Sequence, residues 1–281
     1  MIVEFFGPPG SGKTTFAHAL SDRLRERGCS SAVVLSYQPG RKVSSLDPGG
    51  VFAGSRRVGR AILEIVMIGL FAIARRRELT LVAKLMWVLP PRRAIWFMRL
   101  SQYILRLSRS WGRASDSERV VIFDQAFVQA VCSLALFNQA ADENSLRRAL
   151  DLVPRADVVI RLDAPSDLLR ARLNERLRQE AVVERLFEAD LRLNLEAIPI
   201  VEKIASLLGK SGQSITRVSS QDQSSLDQAL GAIEEEILSR MRFTRAREQT
   251  SSSESGREPP PAATTEGDLT YSARARRRLA F

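Results

Sequence analysis

Cysteine and histidine are nearly absent from this chain of 281 residues, which has two Cys and one His. Cys29 and Cys132 are too few and too far apart for a disulfide framework or a zinc site. Both read as reduced thiols in a reducing compartment, and Cys132, within AVCSLALF, reads as a small buried hydrophobe. His18 has no second histidine to join in a metal centre or a catalytic triad, so it reads as an ordinary helix residue. Membrane-length apolar runs are missing as well. Ala61 to Ala74 would span only ~21 Å as a helix against a bilayer core of ~30 Å, so a buried helix is expected there. The opening residues, MIVEFF, lead straight into a glycine-rich motif; no secretory leader is expected, and the expected location is cytoplasmic.

Apolar residues make up 44% of the chain and the mean hydropathy is −0.11. That suffices for a sizeable core and excludes disordered, collagenous and disulfide-scaffold classes. The net charge is +10. Its location is the informative part: Arg56 to Arg113 holds thirteen Lys and Arg against Glu64 and Glu78, more than the entire excess.

Five short apolar runs read as strands: residues 2–6, Ala32–Tyr37, Val120–Phe123, Asp157–Leu162 and Ser214–Val218. Helical patterns separate them, at about Thr14–Arg27 (stopped by Gly28), Ala126–Phe137, Glu143–Leu152, the stretch from Pro165, Glu184–Leu208, and a closing helix marked by Leu226, Leu230, Ile233 and Ile237. Residues 38–56 are rich in Gly, Pro and Ser and read as a loop. The segment 56–113 reads as helical, broken at Pro90-Pro91. After that break Phe97, Leu100, Ile104 and Leu107 share one face, while Arg99, Gln102, Arg106 and Arg109 share another. Strands alternating with helices call for a parallel sheet covered on both faces. The expected organisation is one α/β domain over residues 1–241, with a helical insertion at 56–113 and a lid-like region at 170–190. A disordered tail, rich in Ser, Pro and Glu and ending in RARRRLAF, is expected over 242–281.

GPPGSGKT, Gly7 to Thr14, matches G-x-x-x-x-G-K-[ST] between an expected strand and an expected helix. Successive backbone N–H groups at a helix start can surround a β-phosphate. Pro8 and Pro9 have no N–H, so Gly10, Ser11, Gly12, Lys13 and Thr14 are the expected donors. With Gly7 and Thr15 they form the expected nucleotide-binding set. Lys13 would bridge β- and γ-phosphates, and Thr14 would ligate Mg²⁺. VVIFD ends the third strand in an acid beside this loop. Asp124 could hold Mg²⁺, accept a proton from a substrate hydroxyl, or merely cap the next helix.

On these residues the chain resembles the thymidylate kinase-like branch of the P-loop nucleoside and nucleotide kinases. The likeness rests on GPPGSGKTT, on FDQ at Phe123–Gln125 where that family carries Asp-Arg, and on LDAPSDLLRARLNERLR. It covers about residues 1–37 and 119–240. It implies a five-stranded parallel P-loop sheet with helices on both faces, ATP as donor and Mg²⁺ as metal. It also implies phosphate-contacting roles for Arg172 and Arg176 on the helix leading to a lid, whereas Arg170, Arg178 and Arg185 have no clear counterpart. Gln125 in place of arginine changes one acceptor contact from ionic to neutral, and residues 38–118 show no nucleobase-binding pattern.

Other phosphate-loop classes fit less well. There is no Asn-Lys-x-Asp guanine motif, and DPGG at Asp47–Gly50 follows no apolar strand. No LSGGQ-like signature is present. An AAA-type ring ATPase would add a helical lid domain with sensor arginines, and a distant member of that class stays open. The expected activity is transfer of the γ-phosphoryl of Mg·ATP to a small anionic acceptor. The alternative is an ATP-dependent switch acting on a protein or membrane partner through the basic segment. Arg56, Arg57, Arg60 and Arg75–Arg77 are the candidate acceptor contacts, and Trp with Arg on amphipathic helices also suits a membrane surface. Nucleic acid ranks last among the partners, and the oligomeric state is left open.

Overall fold

A computed structural model of the protein describes residues 1–35, 76–179, 191–219 and 223–255. Met1–Ser239 form one compact unit, and Arg240–Phe281 a second. The first unit is built on five strands: β1 (Ile2–Phe6), β2 (Ser31–Val34), β3 (Val120–Phe123), β4 (Val158–Asp163) and β5 (Ile215–Ser219). They form one sheet in the order β2-β3-β1-β4-β5, and every pairing is parallel. All five residues of β1 are buried, as its central place requires. The five-stranded α/β architecture expected from the alternating pattern is therefore present.

Side-chain alternation along β1 sends Val3 and Phe5 to one face and Ile2, Glu4 and Phe6 to the other. On the first face lies α1 (Lys13–Glu26), whose Phe16 meets Phe5 edge-on with ring centroids 5.5 Å apart. Gly28 ends this helix as expected: its N–H bonds Arg25 O, and that of Cys29 bonds Leu24 O. The closing helix, α8 (Gln223–Ser255), is tied to α1 by Arg27–Glu234 at 2.8 Å and Arg23–Asp227 at 3.1 Å.

The second face carries the larger core. The hairpin α2 (Arg76–Val88) and α3 (Ala94–Ser115) sits there with α4 (Phe127–Asn138), α5 (Glu143–Leu152) and α7 (Leu191–Lys210). Trp111 of α3 packs against Phe123 and Phe127 at 5.3 and 5.2 Å. Asp142 caps α5 by accepting the Ser145 N–H at 2.7 Å. The remaining helix, α6 (Ser166–Gln179), follows β4 and buries Leu169 and Leu173.

Several expectations shift. β2 runs from Ser31 to Val34, starting one residue before the expected Ala32, and Ser36 and Tyr37 of the expected strand lie outside the described residues. Leu100, Ile104 and Leu107 are buried as the periodicity requires, but Phe97, on the same expected face, is 44% exposed. Periodicity marks the apolar face of a helix without showing where its packing partner stops. α8 continues past Met241 to Ser255, where a disordered tail was expected from residue 242. Arg, Ala, Glu and Gln favour helix there, and neither Gly nor Pro intervenes before Gly256. The loop at 38–56, the run 61–74, Arg56, Arg57, Arg60, Arg75, and residues 180–190 of the lid-like region lie outside the described residues. Among the described residues no helix is long and apolar enough to cross a membrane.

The insertion hairpin is docked by burial of α3, and Ile104 is fully buried there. Ile104→Ala should destabilise the protein by about 2–5 kcal/mol, read as a lower urea midpoint. A loss below about 0.5 kcal/mol would mean that this face of α3 does not hold the hairpin down.

Candidate functional site

The residues between β1 and α1 fold into an open turn. Ser11 N–H bonds Pro8 O at 3.3 Å, and the first helical bond runs from Phe16 N–H to Gly12 O at 2.9 Å. The amides of Thr14 and Thr15 therefore stand in the opening turn, ahead of the helical ladder. Gly12 caps the helix in the left-handed region at φ +88°, where a glycine costs least. Gly7 has a different constraint: a Cβ there would lie 2.2 Å from Leu162 O at the end of β4. The loop can leave β1 only because that position carries no side chain.

Lys13 is buried and arches back over the turn. Its Nζ donates to Gly7 O and Pro8 O, both at 2.9 Å. The ammonium is thus held at the centre of the loop by the loop's own carbonyls. Gly7 N–H in turn donates to Gln129 Oε1 of α4 at 3.0 Å.

Because β3 pairs directly with β1, the acid at its end reaches the same edge. Asp124 is buried, and its Oδ2 accepts the Thr14 hydroxyl at 2.9 Å. α4 starts after Ala126, whose own side chain makes no capping bond. A strand residue outside the sequence motifs reaches that helix start. Glu4, fully buried within β1, accepts the Val128 N–H on Oε1 at 2.6 Å. Its Oε2 has no partner among the described residues. Burial pushes the carboxyl from its ordinary 4.5 up to about 8, against the lowering effect of the Val128 and Gln129 amides. Glu4 thus fastens β1 to the start of α4 and fixes the turn that carries Asp124 and Gln125.

Tyr103 of α3 closes the far side. Its hydroxyl donates to Gln125 O at 3.5 Å. Burial raises its pKa strongly, and the Glu4 and Asp124 carboxylates add to the effect. Cys132 on α4 is buried nearby, its thiol pushed up to about 12, which agrees with an inert hydrophobe. His18 is exposed on α1.

Of the two arginines implied by the resemblance, Arg172 of α6 meets the loop: its Nη1 donates to Gly10 O at 3.1 Å. Leu173 beside it lies 3.6 Å from where a Cβ of Gly10 would be. Arg176 sits one turn further along α6; its side chain is outside the described residues. Glu4, Gln129 and Tyr103 lie outside the sequence motifs. For Glu4 and Gln129 the available signal was a polar residue inside an otherwise apolar strand or helix, IVEFF and FVQAVCSLALF.

Among the described residues no group of three His, Cys, Asp or Glu could hold a metal alone. The Thr14–Asp124 pair offers one hydroxyl and one carboxylate. This fits a hard cation such as Mg²⁺, which takes few protein oxygens when phosphates supply others.

A family model described as an AAA domain matches residues 2–196. Structures of deoxyadenosine kinase from M. mycoides are similar to this chain. The one with products dCMP and a flexible dCDP bound is 13% identical, with a TM-score of 0.45, covering 85% of this chain and 100% of that one. The one with bound dATP is 14% identical, with a TM-score of 0.46, covering 84% and 99%. No curated protein matches the chain.

Glu4 gives this site a measurable signature. Between about pH 4.5 and 8 the folded chain keeps a proton that the unfolded chain releases, so stability falls as pH rises across that window and levels off above it. The slope from this group approaches about 1.4 kcal/mol per pH unit. Unfolding midpoints of Glu4→Gln should show a flatter pH dependence over the same range. Parallel curves for the two proteins would remove Glu4 as the cause.

Proposed function

The chain belongs to the AAA domain family, and on that premise we propose that it is an ATP-dependent kinase of the thymidylate kinase-like type. It would transfer the γ-phosphoryl of Mg·ATP to a hydroxyl or phosphate oxygen of a small anionic acceptor. The observation that carries this reading is the 2.9 Å bond between Thr14 Oγ1 and Asp124 Oδ2, which joins the phosphate loop to the end of the neighbouring strand. A phosphate-binding turn alone serves any nucleotide-binding protein. A turn joined to a buried carboxylate, with an arginine reaching it from a separate helix, is equipped for transfer.

The roles follow from position. The amides of Gly10 to Thr15 and the Lys13 ammonium bind and orient the polyphosphate. Lys13 must exchange its bonds to Gly7 O and Pro8 O for phosphate oxygens. Thr14 and Asp124 would hold Mg²⁺, which supplies charge neutralisation on the phosphates when bound. Arg172, beside Gly10, would put positive charge where negative charge spreads over the equatorial oxygens, and Arg176 would do the same as the resemblance implies. In transfer an acceptor oxygen bonds to the γ-phosphorus as the bond to the bridging oxygen breaks. ADP departs, and the acceptor's proton passes to Asp124 or to water.

The acceptor side is bounded by Gln125 and Tyr103. Arg106 lies one turn along α3 from Tyr103 and acts on its hydroxyl, so this helix brings positive charge towards the end of β3. That arrangement favours an anionic acceptor. Arg76 and Arg77 open α2, the part of the expected acceptor set that lies within the described residues.

The reading is tested by pairing binding with turnover. Lys13→Ala should abolish the rise in melting temperature caused by Mg·ATP, and an unchanged rise would reject the loop as the nucleotide site. Asp124→Asn should keep that rise yet lose roughly a hundredfold or more in ADP release with acceptor present. Full turnover in Asp124→Asn would remove the acid from the chemistry. A screen of phosphorylated sugars and nucleotides for stimulated ADP release identifies the acceptor. Stimulation by a protein or by lipid, with no response to any small molecule, would favour the ATP-dependent switch instead.

A further inference from the structure

The closed end of the α2–α3 hairpin exposes large apolar side chains that the nucleotide site does not use. Trp87 is 86% exposed, and Ile95, Phe97 and Met98 are each about two-fifths exposed. All four lie within about one helical turn of the connection between the two helices. They do not hang from a loose loop. Trp96 stacks on Phe137 with ring centroids 3.9 Å apart, and the Arg99 guanidinium lies 5.0 Å over the Trp96 ring. Arg92 N–H donates to Phe137 O at 3.1 Å, and the Asn138 side chain donates to Pro90 O at 2.8 Å. The tip is therefore clamped to the C-terminal end of α4, and its outward apolar side chains are presented by a fixed platform.

Charge along the hairpin beyond Glu78 has one sign. From Leu79 to Ser115 the chain carries seven Lys and Arg and no Asp or Glu. Lys84, Arg92 and Arg93 flank the exposed aromatics directly, and all three are exposed. Trp and Phe beside cations on short amphipathic helices match the chemistry of an anionic lipid interface: rings enter the headgroup level and cations meet phosphates.

We infer that the α2–α3 tip, through Trp87, Ile95, Phe97 and Met98 ringed by Lys84, Arg92 and Arg93, docks the protein on an anionic membrane surface. Docking leaves the phosphate loop accessible. α4 carries the clamp at its C-terminal end and follows the Asp124–Gln125 turn at its other end, about 18 Å away for twelve residues. The inference does not rest on the kinase reading, since it uses none of the same residues.

Flotation of the full chain with phosphatidylcholine vesicles, with and without about a quarter phosphatidylglycerol, tests it. The wild-type protein should float with the anionic vesicles at least about tenfold better than with the neutral ones, and high salt should weaken it. The triple variant Trp87→Ser/Phe97→Ser/Met98→Ser should lose flotation while keeping its unfolding midpoint and its response to Mg·ATP. Lys84→Glu/Arg93→Glu should lose it as well. No flotation of the wild-type protein would overturn the inference, and so would flotation that both variants retain, which would assign binding to another basic segment. A wild-type dimer in size-exclusion chromatography that the triple variant splits, without flotation, would overturn it in favour of a second copy of the chain.

Discussion

Parallel pairing of β1 with β3 is the constraint on which the site depends. Glu4 lies opposite Phe123, so the residues that follow each strand emerge side by side at one edge of the sheet. The phosphate loop leaves β1 there, and Asp124 ends β3 there, close enough for the 2.9 Å bond between Thr14 and Asp124. β4, on the other side of β1, brings Leu162 O so near Gly7 that only glycine can start the loop. α6, the helix after β4, then carries Arg172 back to Gly10. A shift in strand order would separate these groups, although each could keep its local conformation.

The site also has to hold unlike charges in a buried place. Lys13 donates to carbonyls of its own loop, and Asp124 accepts the Thr14 hydroxyl. Glu4 meets the same difficulty by keeping its proton. Two α4 amides face its carboxyl, yet burial outweighs them. A neutral carboxyl at this point caps the helix without adding a second negative charge beside Asp124, where a polyphosphate would be repelled. The helix start and the Asp124–Gln125 turn are thereby fixed by a strand residue distant in sequence.

The sequence was most informative where the pattern is local. Gly7 to Thr14 is a contiguous pattern whose glycines and lysine act through one turn, and the structure forms that turn where the pattern puts it. Asp124 was legible because an apolar strand ending in an acid is short-range information. Glu4 was hidden in a five-residue apolar run, and only the sheet pairing shows that its carboxyl meets the start of α4. Gln129 and Tyr103 were hidden for the same reason, since each acts across more than twenty residues of chain or between helices. Phe97 shows the opposite failure: helical spacing assigned it to the core, but α4 ends beside Trp96 and offers it no partner. Family membership says AAA domain, and the narrower thymidylate kinase-like reading rests on the loop, on Asp124 and on Arg172 together.

The central claim is that the turn from Gly7 to Thr14 wraps a polyphosphate. Titration calorimetry of the wild-type protein with adenosine, AMP and ATP in the presence of Mg²⁺, followed by competition with inorganic tripolyphosphate, measures this directly. Affinity should rise steeply with phosphate number, and tripolyphosphate should displace ATP. Adenosine binding as tightly as ATP, with tripolyphosphate unable to compete, would contradict the account.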